Sequence, residues 1–174
     1  MGDEQKRGFA QTAILTMAAD LEARLRAVED ELAIRTLAAR FSDCANERDF
    51  EGFADLWSAR GVWEIGPPSP ACAEGVDAIT EMLRRRLSAH SMFIHMTHSG
   101  VIQLQGDTAR ARFVERELGR CRRGYYENLA VHEDELRREA DGKWRFSRRV
   151  YHYRYLDDSA FGGQVLPLIN GAER

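Results

Sequence analysis

The hydrophobic period changes once along this chain, and that change limits the folds open to it. Up to about residue 90 the apolar residues recur at helical spacing. Leu21, Leu25, Val28, Leu32, Leu37, Ala38 and Phe41, with Glu, Arg and Asp between them, predict an amphipathic helix that covers a sheet. Asp49 is placed to cap a second, short helix containing Phe53, Leu56 and Trp57. Gly61-Val-Trp-Glu-Ile-Gly66 alternates between glycines and reads as a strand, and Pro67, Pro68, Ser69 and Pro70 force a loop. A third helix is expected from Gly75 to about His90, with Val76, Ile79, Met82, Leu83 and Leu87 on one face. Beyond it the period becomes two. Strands are expected at 93–105, 108–121, 125–138 and 143–156, with turns at Gly106-Asp107 and Asp141-Gly142.

Helices followed by long antiparallel strands make an α+β fold, with the N-terminal helices on one face of a curved antiparallel sheet and a cavity between the two layers. The 174 residues suit one domain, expected at 17–160, with a flexible or helical extension at 1–16 and a C-terminal tail at 161–174. Hydrophobic residues at 44% and charged residues at 30% are enough for a packed core and argue against disorder. A net charge of −3 and the absence of nucleic-acid motifs turn the reading away from DNA or RNA. Three cysteines without a CxxC pair argue against a disulfide framework or a zinc site, and reduced thiols suit a cytoplasmic location. No apolar run reaches membrane-spanning length, so no membrane contact is expected.

The element order, together with Phe53-Ala-Asp-Leu-Trp57, Gly61-Val-Trp63, Ile94-His95, Gly106-Asp-Thr-Ala109 and Asp141-Gly-Lys-Trp-Arg-Phe146, resembles the SnoaL-like branch of the nuclear-transport-factor-2-like superfamily over about residues 21–156. The resemblance implies a cone-shaped domain, a homodimer or homotrimer, and a buried pocket for a small hydrophobic molecule. Among the members it resembles are hexachlorocyclohexane dehydrochlorinase, scytalone dehydratase and the bile-acid dehydratases. These eliminate without a cofactor, using a histidine base and a carboxylate near the end of the first long helix.

His95 matches the histidine of that pair, and a near-neutral imidazole can remove and return a proton at pH 7. Asn46 falls where those enzymes carry the carboxylate. Its amide oxygen could orient the His95 ring without stabilising an imidazolium, and on this reading Asn46→Asp would do no harm. Asp43, one helical turn earlier, is the alternative source of charge, and Arg149 is expected at the cavity holding an anionic or carbonyl group, or pairing with Asp43. Phe41, Trp63, His132, Tyr151 and Tyr153 are expected to line the pocket. His132 and Asp134 share a strand face but are not read as a metal site, and no cofactor is expected. His98 and His152 should face away, and Cys44 should be a buried, inert thiol. Two functions follow. One is a cofactor-independent lyase or isomerase acting through His95 on a small, hydrophobic, cyclic molecule. The other is a ligand-binding or auxiliary subunit with the same pocket and no chemistry. Oligomerisation is expected through the outer face of the long strands.

Overall fold

The computed structural model describes residues 3–122 and 124–159. The C-terminal tail expected at 161–174 therefore lies outside the described residues. The elements run α1 (Asp3–Glu47), α2 (Phe50–Ala54), β1 (Trp57–Ile65), β2 (Ala71–Glu74), α3 (Val76–Ser88), β3 (His90–Gln105), β4 (Thr108–Cys121), β5 (Gly124–Arg138) and β6 (Trp144–Asp157). All six strands form one sheet in the order β2-β1-β6-β5-β4-β3. The four long strands pair antiparallel as expected, and β1 joins parallel to β6. β1 starts at Trp57, which the sequence had placed in the preceding helix. β2 was not anticipated: Ala71-Cys-Ala-Glu74 is four residues long and carries no β-branched or aromatic side chain.

Only the C-terminal third of α1 covers the sheet. Ile34, Leu37, Ala38, Phe41, Cys44 and Ala45 are buried, whereas Leu21, Leu25, Val28 and Leu32 are 55–64% exposed. The amphipathic stripe read from the sequence is thus two stripes on one helix. The change-over is marked by Asp30, which is buried and accepts hydrogen bonds from Trp144 Nε1 at 3.0 Å and Arg138 Nη2 at 2.5 Å. Those bonds moor α1 to the far end of β5 and β6. Asp49 caps α2 as expected, accepting from the Gly52 N–H at 2.8 Å. At the other end of the sheet Gly119 faces Tyr126 across β4 and β5, and a Cβ at 119 would lie 2.2 Å from that ring. The missing side chain is what lets Tyr126 lie flat there and reach His90 Nε2 at 2.9 Å.

The core is the space between the concave sheet face and α1, α2 and α3. Phe41, Phe53, Trp57, Trp63 and Phe146 meet there with ring centroids 5.1–6.3 Å apart. Asp30→Ala removes both of the Asp30 bonds and leaves the buried Trp144 N–H unpaired. We expect it to cost about 1–3 kcal/mol in urea unfolding; a loss below about 0.5 kcal/mol would show that these bonds do not hold the helix.

Candidate functional site

The inward positions of β4 read Ala109, Ala111, Phe113, Glu115, Glu117 and Gly119 by strand alternation. Two carboxylates therefore enter a face that is otherwise apolar or without a side chain. Their cross-strand neighbours are fixed by register: Thr97 and Ala130 flank Glu115, while His95 and Asn128 flank Glu117. One step further along, Phe113, His132 and Tyr151 stand in a row, and Asp134 faces Arg149. Ala130 is small enough to let the Glu115 carboxyl turn toward the histidines.

The result is a buried polar cluster. Glu115, His132 and Arg149 are fully buried, and His95 and Asp134 are 3% exposed. Arg149 binds Asp134 with two bonds, Nε to Oδ1 at 2.8 Å and Nη2 to Oδ2 at 3.1 Å. Its guanidinium lies between the rings of Phe41 and Phe146, 4.2 Å from each centroid. Arg149 Nη2 also comes within 3.8 Å of Glu115 Oε1, and His132 Nδ1 is 2.9 Å from the same oxygen. The second oxygen, Glu115 Oε2, is 3.8 Å from His95 Nε2.

A chain of hydroxyls fixes the tautomer of His95. Its Nδ1 is 2.9 Å from Ser42 Oγ, Ser42 Oγ is 2.7 Å from Thr97 Oγ1, and Thr97 donates to the Ala38 carbonyl at 3.2 Å. Thr97 has one proton, and its acceptors are the Ala38 carbonyl and the Glu115 carboxyl. Ser42 must then donate to Thr97, and His95 must donate to Ser42 from Nδ1. Nε2 is left as an unprotonated, buried nitrogen with no hydrogen-bond partner among the described residues. Burial, with the nearby Arg149 charge, pushes the His95 pKa down to about 3, so the ring is a neutral base at pH 7. His132 is driven down by the same causes. Burial pushes Glu115 up to about 8, against the opposing pull of Arg149. Burial likewise raises Asp134 and Glu117.

His95 and His132 also line a cavity of about 790 Å³, together with Phe41, Trp63, Tyr151 and Tyr153. That volume suits a small organic molecule. Glu117 faces the same cavity, with its Oε1 3.4 Å from Asn128 Nδ2. The Tyr151 hydroxyl and Trp63 Nε1 are buried donors without acceptors among the described residues. Nε2 of His132, on the same wall, is likewise buried without a partner among the described residues, so the wall presents two free imidazole nitrogens and two free donors in an aromatic lining.

Three sequence expectations are corrected. Asn46 does not touch the His95 ring: Oδ1 accepts from the His95 backbone N–H at 2.7 Å and Nδ2 donates to its carbonyl at 3.0 Å. It clamps the strand to the helix, and Ser42, one turn earlier, holds the ring. Asp43 is exposed on the outer side of α1, because the helix turns residues 41, 42, 44 and 45 toward the sheet. Arg149 does not reach the cavity wall; Asp134 and the two phenylalanine rings hold it behind the histidines. Ser42, Thr97, Glu115 and Glu117 were missed. The two acids were legible as inward positions of a strand whose alternation was already assigned. The two hydroxyls carried no such signal. His98 is exposed and His152 pairs with Glu133 at 3.5 Å, both away from the cavity, and Cys44 is buried with its thiol pKa raised.

One nitrogen from each histidine and one Glu115 oxygen lie within 4.8 Å of one another, a donor set that suits a divalent transition ion. Arg149 already supplies a positive charge to that carboxylate, which makes a dication there electrostatically costly.

The chain matches the SnoaL-like domain family over residues 26–150 and belongs to it. No curated protein matches the sequence. Its fold is that of the nuclear-transport-factor-2-like proteins. A protein of that kind with a cystatin-like fold, from Novosphingobium aromaticivorans, shares 28% identity over 78% of this chain and 89% of its own, with a TM-score of 0.68. A type 2 hexachlorocyclohexane dehydrochlorinase, LinA, is 20% identical over 83% of this chain and 97% of its own, with a TM-score of 0.75. A Mycobacterium tuberculosis protein of unknown function is 23% identical over 74% of this chain and 73% of its own, with a TM-score of 0.65.

The Arg149–Asp134 pair generates a stability prediction. Arg149→Met strands a buried carboxylate and Asp134→Leu strands a buried guanidinium, each expected to cost about 3–5 kcal/mol in urea unfolding. The double variant should recover most of that loss. Single costs that simply add in the double variant would show that the two side chains do not act as a pair.

Proposed function

We propose that the protein is a cofactor-independent lyase or isomerase acting on a small, largely hydrophobic, cyclic molecule that carries a carbonyl or hydroxyl oxygen. The observation that carries this reading is His95 Nε2: a buried, unpartnered nitrogen at the cavity wall, in a ring whose other nitrogen is committed to Ser42. The Tyr151 hydroxyl and Trp63 N–H hold the substrate oxygen against the wall. His95 Nε2 removes a proton from the carbon next to the one that bears that oxygen, and the C–H electron pair forms the new carbon–carbon double bond. The imidazolium formed returns the proton, either to another carbon, giving isomerisation, or to a departing hydroxyl, giving elimination. The family's eliminating members, LinA among the similar structures, support this class of chemistry for the fold.

Glu115 takes the electrostatic part that the sequence reading had sought at Asn46 or Asp43. It is a positioning residue that does not line the cavity. Ionised, it stabilises the imidazolium from 3.8 Å. Protonated, it leaves that charge buried beside Arg149. Because the Glu115 pKa sits at about 8, the supporting carboxylate is absent at lower pH and forms as pH rises through that value.

A screen of small cyclic alcohols, halides and enones supplies the assay. His95→Ala should lose about 10²–10⁴-fold in rate. In the wild type kcat/KM should rise with pH to a plateau above about 8, and Glu115→Gln should lower the plateau and remove the rise. A profile that falls from pH 7 to 9, or that Glu115→Gln leaves in place, would refute the role of Glu115. Turnover that survives His95→Ala unchanged would refute the mechanism. Asn46→Asp should impair the protein, because a carboxylate cannot donate to the His95 carbonyl.

The second reading is a binding or auxiliary subunit, supported by the use of residue 46 as a backbone clamp. It predicts ligands that quench Trp63 fluorescence, equally in wild type and His95→Ala, with no turnover in either.

A further inference from the structure

The first half of α1 carries a large apolar surface that no other described residue covers. Ile14, Leu15, Met17, Leu21, Leu25, Val28 and Leu32 are 55–72% exposed. Their placement is regular. Ile14, Ala18, Leu21, Leu25, Val28 and Leu32 follow one another at intervals of four and three, which is the d-a-d-a-d-a seam of a heptad repeat. Leu15 and Met17 flank its N-terminal end. The seam stops at Leu32 for a visible reason. Arg35 occupies the next seam position and is tied to Glu31 at 2.6 Å and to the Gly100 carbonyl at 3.3 Å. From Asp30 the opposite side of the helix turns into the core, so the seam points away from the domain that anchors it.

We propose that this seam binds the same seam of another copy of the chain, forming a parallel, in-register coiled coil. The charges beside the seam select the partner and its direction. Glu22 and Glu29 take the e positions, and Arg24 takes a g position. In a parallel pair each g residue faces the e residue five positions later on the partner, so Arg24 meets Glu29 of the partner copy, twice by symmetry. An antiparallel pair would set e against e, bringing glutamate to glutamate, and at g would set Arg24 against another Arg24 or against Glu31, which Arg35 already holds. Leu25 and Leu32 at a, with Ile14 and Val28 at d, also leave room for a third strand. The outer face of the sheet, where the sequence reading placed the contact, is less suited. Its exposed apolar residues Ile94, Val101, Val114 and Leu129 are 40–58% exposed and stand among the exposed Arg112 and the Arg116–Glu127 ion pair.

The test uses the full chain. Light scattering at micromolar concentration should give two or more times the 19.8 kDa of one chain, and Leu25→Glu/Val28→Glu should return it to one. The thermal transition of the domain should persist in that variant, because the core residues of α1 begin at Asp30. Direction is read separately. With Cys72→Ser and Cys121→Ser in the background, Leu21→Cys should form a disulfide between copies under mild oxidation, since identical d residues face each other only in a parallel, in-register pair. Ala27→Cys, on the outer side of the helix, should not. A wild type of single-chain mass, a mass unchanged by the double glutamate variant, or equal cross-linking at 21 and 27 each overturns the proposal.

Discussion

Arg149 is a fully buried positive charge at the centre of the molecule, and much of the surrounding structure serves to make that tolerable. An unpaired guanidinium in an apolar interior costs far more free energy than one domain can lose. Asp134 answers it directly across the β5–β6 ladder, and the faces of Phe41 and Phe146 answer it from both sides. Phe41 comes from α1 and Phe146 from β6, so the cation joins helix layer and sheet layer at one point. Its charge then sets the chemistry nearby. It helps keep His95 and His132 neutral, and it pulls the Glu115 pKa down against burial. Arg149 thus acts on the site from behind the cavity wall.

Much of this was open to reading from the sequence, and the losses have physical causes. The period change located the sheet, and the four long strands fell within a few residues of their predicted limits, because a half-buried strand must alternate. His95 was expected at the cavity from the family resemblance, Trp63 as a wall aromatic, and Tyr151 and Tyr153 from the parity they share with Arg149; the first four line the cavity and Arg149 does not. The stripe on α1 misled, since helical periodicity reports that a face is apolar and does not report what covers it. Asp30, one charged residue inside that stripe, marks where one covering partner gives way to another.

Asn46 and Glu115 illustrate a second kind of loss. Position 46 was judged by alignment with enzymes that keep a carboxylate there, so its replacement looked like a missing charge. A carboxylate accepts but cannot donate, whereas an amide does both, and Asn46 uses both functions on the backbone of one residue. The charge that seemed missing enters from β4 instead. Strand parity could have found it, because Glu115 is an acid at an inward position whose neighbour across the ladder, Ala130, is small.

The two arrangements are not equivalent in what they ask of the histidine. A carboxylate bonded to Nδ1 raises the basicity of Nε2 through the ring while it orients it. Here a neutral hydroxyl, Ser42, orients the ring, and the carboxyl lies near Nε2 itself, at 3.8 Å. Glu115 and His95 Nε2 are therefore placed to compete for the same proton. With Glu115 protonated, the buried cluster of Arg149, Asp134, Glu115, His95 and His132 is neutral. With Glu115 ionised it carries one net negative charge, which a proton gained by His95 would cancel. A buried cluster is most comfortable when neutral, so the resting form favours the protonated carboxyl, and the form able to take a proton from a substrate is the less stable of the two. That imbalance makes the ionised cluster a stronger base than an isolated buried imidazole. The cost is that, at neutral pH, only a minor fraction of the molecules hold that form.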